Sequence, residues 1–229
     1  MENQAAPAPR SAASGALFAL SIFYGGMVCI AGVLGNKQVS LGPISAIGTW
    51  VGIGPLAVEA GIFAFLLLVA TSSAVAELYD RGTANRLVVI GFVPLIVSLL
   101  LSELVLAIPA AASMPPERLA AFETIMGSTP RIWLGGIVAY GTSQILNVTI
   151  FSKLKRETGR LLWLRAGIAS VTSQIVDTLL FVTIAFYGVF PIGQLLVGQM
   201  LAKVVLSIVA VPLLIYFFVW LGRRLNARA

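Results

Sequence analysis

The 229-residue chain contains no histidine. That removes the side chain most often used as a general base and the commonest transition-metal ligand. Cysteine occurs once, at Cys29, so neither an intrachain disulfide nor a cysteine metal site can form. Charge is scarce: Asp, Glu, Lys and Arg are 10% of the residues, against about 25% in a soluble domain. No G-x-x-x-x-G-K-[ST] run is present, so the chain carries no ATPase of its own. No nucleophile–base pair suggests a hydrolase. The expectation is a non-enzymatic protein with no metal and no cofactor.

What is abundant is apolar. Hydrophobic residues make up 59% of the chain and the mean hydropathy is +0.98. The composition describes an all-α polytopic membrane protein with about six transmembrane helices. A polar tail over residues 1–14 reads as disordered and cytoplasmic, and no signal-peptide pattern precedes the first span. A single transmembrane domain fills residues 15–222, and a basic cytoplasmic tail follows at 223–229. The six spans are expected near residues 15–34, 56–78, 87–110, 132–151, 163–187 and 194–221, with Pro94 kinking the third. Residues 38–55 are too rich in Gly and Pro for a plain helix and read as a loop or re-entrant segment. Residues 111–130 form a second loop with a short amphipathic piece at 117–126. A turn is expected at 188–193.

The net charge of +6 forms no patch suited to nucleic acid; it follows topology. With both termini cytoplasmic, eleven of the fifteen Lys and Arg, Arg10, Arg160 and Arg228 among them, lie on the inner side. Lys37, Arg118 and Arg131 lie outside, and Lys203 is buried. The apolar surface implies membrane lipid as a neighbour. A homodimer is compatible with the sequence, although no residue singles out a dimer face.

One pattern occurs twice. Thr142-Ser143-Gln144-Ile145-Leu146-Asn147-Val148-Thr149-Ile150-Phe151 and Thr172-Ser173-Gln174-Ile175-Val176-Asp177-Thr178-Leu179-Leu180-Phe181 share T-S-Q-I-x-[N/D]-x-x-x-F at an offset of 30 residues. On a helix, positions i, i+3 and i+4 share a face. Gln144 and Asn147 therefore project together, as do Ser173, Gln174 and Asp177. Such faces either join helices to one another or line a site; two matched clusters, one with a carboxylate, favour a site. The copies lie on neighbouring antiparallel helices, as in transporters built from inverted repeats, and chance similarity is the alternative.

Asp177 lies about 21 Å from the basic loop at 153–160, on a rise of about 1.5 Å per residue. Lys203 and Arg165 are its candidate partners, and a purely structural Asp177–Lys203 pair is the alternative to a ligand site. Glu77, at a span end, serves either a site or a salt bridge with Arg81. Glu103 is either protonated and hydrogen-bonded or paired with Lys203. Glu59, near the outer face, is expected to reach water.

Several stretches resemble the queuosine precursor transporter family, also called the vitamin uptake transporter family. They are Ser143-Gln144-Ile145-Leu146-Asn147, Lys153-Leu154-Lys155, Leu162-Trp163-Leu164-Arg165, Ser173-Gln174-Ile175-Val176-Asp177-Thr178 and Ile184-Ala185-Phe186-Tyr187-Gly188. Upstream, Leu34-Gly35-Asn36-Lys37, Glu77-Leu78-Tyr79 and the segment from Phe122-Glu123 to Thr129-Pro130-Arg131 resemble further family motifs. The resemblance implies a six-helix importer of the bacterial inner membrane. Its substrates would be purine-like 7-deazaguanine bases, such as 7-cyano- and 7-aminomethyl-7-deazaguanine, salvaged for queuosine in transfer RNA. It implies a substrate site at Asn36, Lys37, Glu77, Gln144, Asn147, Gln174 and Asp177. The chain departs from the family pattern at Ser73, where an Asp is usual, and at Gly32, where an Asn is usual.

The chemistry is compatible. A 7-deazaguanine presents adjacent ring N–H and amine donors beside a carbonyl. A carboxylate at Asp177 or Glu77 would take both donors, and amides at Gln144, Asn147 and Gln174 both donate and accept. Tyr24, Phe181 or Tyr187 would stack on the ring. A substrate-binding subunit of an ATP-driven vitamin importer is the alternative function, and a membrane scaffold or lipid-binding protein is the third.

Overall fold

The computed structural model describes residues 14–40, 42–50, 52, 54–127, 130–158, 161–188 and 192–227. The tail before Ser14, Thr129, Arg160, Arg228 and the middle of the turn at 188–193 lie outside the described residues, as does Arg10.

Helix α1 (Gly15–Leu34) leads to a strand β1 (Gln38–Ser40), a 3-10 turn (Gly42–Ser45), a short α2 (Ala46–Trp50) and a strand β2 (Ala57–Glu59). Then come α3 (Gly61–Leu78), α4 (Arg81–Ala107), α5 (Pro116–Met126), α6 (Pro130–Thr158), α7 (Leu162–Phe186) and α8 (Gly193–Asn226). Among the described residues six helices, α1, α3, α4, α6, α7 and α8, are long and apolar enough to cross a membrane. The protein is a multi-pass membrane protein.

Helix ends follow hydrogen bonding rather than hydropathy. Helix α4 starts at Arg81, six residues before the apolar run, because Asp80 caps it: its carboxylate accepts from the Thr83 backbone N–H at 2.9 Å and the Thr83 hydroxyl at 2.7 Å. These bonds favour the ionised form and hold the Asp80 carboxyl below its usual range. Helix α8 runs on through Asn226, so Arg223 and Arg224 form its last turn rather than a tail, where cations suit the helix dipole. Helices α4 and α8 continue through Pro94 and Pro212.

The Gly/Pro-rich stretch is a small cap rather than a loop alone. Strands β1 and β2 pair antiparallel, with Gln38 opposite Glu59, and Ala60 N–H bonds to Lys37 O at 2.8 Å. The second span therefore begins at Gly61, not at residue 56. Between the strands, the chain folds back so tightly that a Cβ on Gly48 would lie 2.2 Å from Gly54 O.

Helix α3 is the hub of the bundle, touching α1, α4, α6, α7 and α8. Its small run Ala70-Thr71-Ser72-Ser73-Ala74 lets neighbouring backbones approach. The apolar window of α3 is 67% buried, whereas that of α4 is 11% buried. Large apolar residues of α4, including Ile90, Val93, Val97 and Leu100, are exposed, as a lipid-facing surface requires. Glu103 is exposed on the same helix and is not the partner of Lys203.

The start of α1 and the ends of α3 and α8 meet at one end of the bundle. Ser14 and Asn226 both hydrogen-bond the Tyr79 hydroxyl, and Ala16 N–H donates to Asn226 Oδ1 at 3.3 Å. The strand pair lies at the opposite end, packed against α8.

Candidate functional site

A polar seam runs along the bundle axis. Helix α6 contributes Ser143, Gln144 and Asn147; α7 contributes Ser173, Gln174, Asp177 and Arg165; α8 contributes Gln199, Lys203 and Ser207; α3 contributes Thr71, Ser72 and Ser73. All are buried, which in an apolar chain demands partners. The seam has three levels.

At the strand-pair end, Asp177 accepts at both oxygens: Oδ1 from the Ser143 hydroxyl at 3.1 Å and Oδ2 from Lys203 Nζ at 3.3 Å. The two motif copies thus meet directly, with Ser143 of the first serving Asp177 of the second. The charges are 7% and 10% exposed and form an ion pair within the bundle. Beside them stands Glu59 of β2, whose Oε1 accepts from Gln199 Nε2 at 3.3 Å. Burial pushes the Glu59 carboxyl up. Lys203 and the Gln199 amide pull it down, and the Asp177 charge pushes it up again.

These three ionisable groups line a cavity of about 610 Å³. Its walls come from α1 (Val28, Cys29, Val33) and Asn36 just after it, α3 (Phe65, Leu68), α4 (Leu95, Ser98, Ser102) and α6 (Trp133, Ile137, Tyr140), with Phe181 and Phe186 of α7. A volume of this size and a mostly apolar, aromatic lining with a few polar groups suit a small heterocycle. Tyr140 is fixed by an edge contact with Phe92 and a 2.6 Å bond from its hydroxyl to Tyr24. A second cavity, about 370 Å³ among α1, α3 and α8, is lined among the described residues by Ala, Leu and Phe and offers no polar group.

The middle level is sealed. Ser72 donates to Gln144 Oε1 at 3.2 Å, and Asn147 donates to Ser73 Oγ at 2.9 Å. Gln144 Nε2, Asn147 Oδ1 and both amide atoms of Gln174 are buried without hydrogen-bond partners among the described residues.

At the terminal end, Glu77 Oε2 meets Arg165 at 3.0 Å and Lys155 at 3.3 Å. Arg165 is 1% exposed, donates to Phe151 O at 3.3 Å and lies 4.2 Å over the Phe151 ring. Arg81, the partner expected for Glu77, instead donates to Thr149 Oγ1 at 3.1 Å.

Of the seven residues expected at the site, Asp177 and Asn36 line the cavity. Asn36 sits at its rim, donating to Gly32 O and Val33 O at the end of α1. Lys37 is exposed and does not line it. Gln144, Asn147 and Gln174 form the sealed level beneath the cavity, and Glu77 stands at the far end of the seam. Phe181 lines the cavity; Tyr24 supports it through Tyr140; Tyr187 is exposed and stands outside it. The sequence reading missed Glu59, which packing withdraws from full solvation. It also passed over Gln199, although Gln199, Lys203 and Ser207 recur at i, i+4 and i+8, a visible polar stripe on an apolar helix.

Comparison with known proteins places these features in a family. The chain is 33% identical over 141 residues to a protein of Bacillus subtilis (strain 168) named "Probable queuosine precursor transporter"; the match covers 59% of this chain and 61% of that protein. No solved structure matches the chain. The model of the family described as "Putative vitamin uptake transporter" matches residues 59–217, from Glu59 into α8, and takes in every residue of the seam. The chain belongs to that vitamin uptake transporter family.

Proposed function

We propose that the protein is a secondary transporter of the bacterial inner membrane that imports a queuosine-precursor base, a 7-deazaguanine, by alternating access. The observation that carries this reading is the cavity holding Asp177, Lys203 and Glu59 at one end of a polar seam that is closed at the other. With the termini cytoplasmic, as the Lys and Arg distribution favours, that cavity faces outward. The flat, donor-rich base would lie between the aromatic walls, with its polar edge toward the carboxylates. The sealed amide level and the Glu77–Arg165–Lys155 cluster would then form the inner barrier that opens when the cavity closes. Their buried, unpartnered amide atoms are costly where they stand, and a passing base with donors and an acceptor would relieve that cost.

The test is uptake by the purified chain alone in liposomes. Labelled 7-aminomethyl-7-deazaguanine is the substrate, guanine the competitor, and Asp177→Asn runs beside the wild type. We expect uptake by the wild type and a loss of about tenfold or more in the variant, which leaves the Lys203 ammonium in the cavity wall without its carboxylate. A folded wild type that takes up no base on its own would overturn the secondary-transport reading in favour of a subunit that needs an ATP-driven partner.

A further inference from the structure

We propose that Glu59 is the substrate-facing carboxylate of the cavity and that it selects a base bearing a cationic amine arm over one bearing a nitrile. This rests on the reading of the cavity as a 7-deazaguanine site, and adds to it which precursor the site prefers.

Of the two carboxylates among the described lining residues, Asp177 already accepts at each oxygen, from Lys203 and from Ser143. Glu59 takes a single bond, from the neutral amide of Gln199 at 3.3 Å, and its Oε2 accepts nothing from the described residues. Among the described lining residues Lys203 is the only ammonium or guanidinium, and it is already paired with Asp177. Among these residues the cavity holds one carboxylate more than its cation balances.

Glu59 is also held in place. It occupies a strand position paired with Gln38, and the neighbouring Ala60 N–H is bonded to Lys37 O. The strand pair fixes its backbone, which keeps its carboxylate at the cavity wall beside Gln199. Burial lifts its carboxyl above the usual range, which marks an environment where a cation would be welcome.

The two precursors differ only at one arm. An aminomethyl arm is an ammonium near neutral pH, with three N–H donors and a positive charge. It satisfies the open oxygen of Glu59 and balances the charge. A nitrile arm has only an acceptor lone pair. Set against a carboxylate it gives no bond and leaves the charge unbalanced. The rejection of a ligand that leaves a buried polar group unpaired is the strong form of discrimination.

The experiment is competition between the amine and nitrile bases for uptake by the full chain in liposomes, wild type against Glu59→Gln and Glu59→Asp. The readout is the amine-to-nitrile ratio, which general losses of folding or insertion do not move. The wild type should favour the amine by about tenfold or more. Glu59→Gln, which keeps shape and removes charge, should bring the ratio to near one, and Glu59→Asp should keep part of the preference. A wild type that takes both bases equally overturns this assignment while leaving the transport reading intact. So does a Glu59→Gln protein whose ratio equals that of the wild type. A wild type that takes up neither base overturns the transport reading and this inference with it.

Discussion

At the scale of single residues, the buried charges set the rules. Asp177 and Lys203 lie within the bundle at 3.3 Å, with the Ser143 hydroxyl on the second carboxylate oxygen. Removing one member leaves the other charged and unpaired in a low-dielectric setting, which costs about 3–5 kcal/mol. Removing both leaves little to solvate. We therefore expect Lys203→Met to lower the melting temperature in detergent more than the double change Asp177→Asn with Lys203→Met. Uptake should be lost in both, because the double variant restores stability without restoring the site. Additive destabilisation in the cycle would mean the pair is not coupled. Glu77 and Arg165 obey the same rule at the other end of the seam, with Lys155 as a second cation at the surface.

At the scale of elements, close packing depends on positions that tolerate no side chain. Where α3 begins against the end of α1, a Cβ on Gly61 would lie 2.8 Å from Ala31 O and 3.3 Å from the Gly35 Cα. Both neighbours are backbone and have nowhere to go. Gly61→Ala should therefore push α3 off α1 and cost about 1–3 kcal/mol. It should also disturb the cavity, since Gly61 and Ala31 both line it. Gly26, in the middle of α1, has nothing within 4 Å of its would-be Cβ. Gly26→Ala should be neutral or stabilise by up to about 1 kcal/mol through helix propensity. Thermal unfolding of the two variants side by side checks the contrast; equal effects would contradict the tight α1–α3 contact.

At the scale of the whole molecule, the lone cysteine is a reporter. Cys29 lines the cavity, and its sulfur accepts a hydrogen bond from the Ser98 hydroxyl at 3.2 Å. If the cavity faces outward, a membrane-impermeant maleimide added to intact cells should label Cys29, and bound base should slow that labelling about tenfold. Labelling only in inside-out vesicles would reverse the orientation read from the positive charges. No engineered cysteine is needed, because no other thiol exists in the chain.

Much of this architecture was legible in the residues. Hydropathy and length specify the six spans, because the cost of an unsatisfied backbone in lipid is paid locally along each helix. The doubled T-S-Q-I pattern marks the polar faces of α6 and α7, because helical periodicity is a property of neighbouring positions. What the chain order does not contain is which polar residue stands at which depth and toward which neighbour. Glu77 has Arg81 four residues away, yet it pairs with Arg165, 88 positions on, because α3 ends before α4 begins and Asp80 redirects the chain. Gln144 and Asn147 share the predicted face, yet that face meets the serines of α3 and is sealed. Glu59, read from the sequence as solvated, is drawn into the cavity by strand pairing with Gln38 and by the approach of Gln199, 140 residues later. These are contacts between distant segments, and only the packing of the helices decides them.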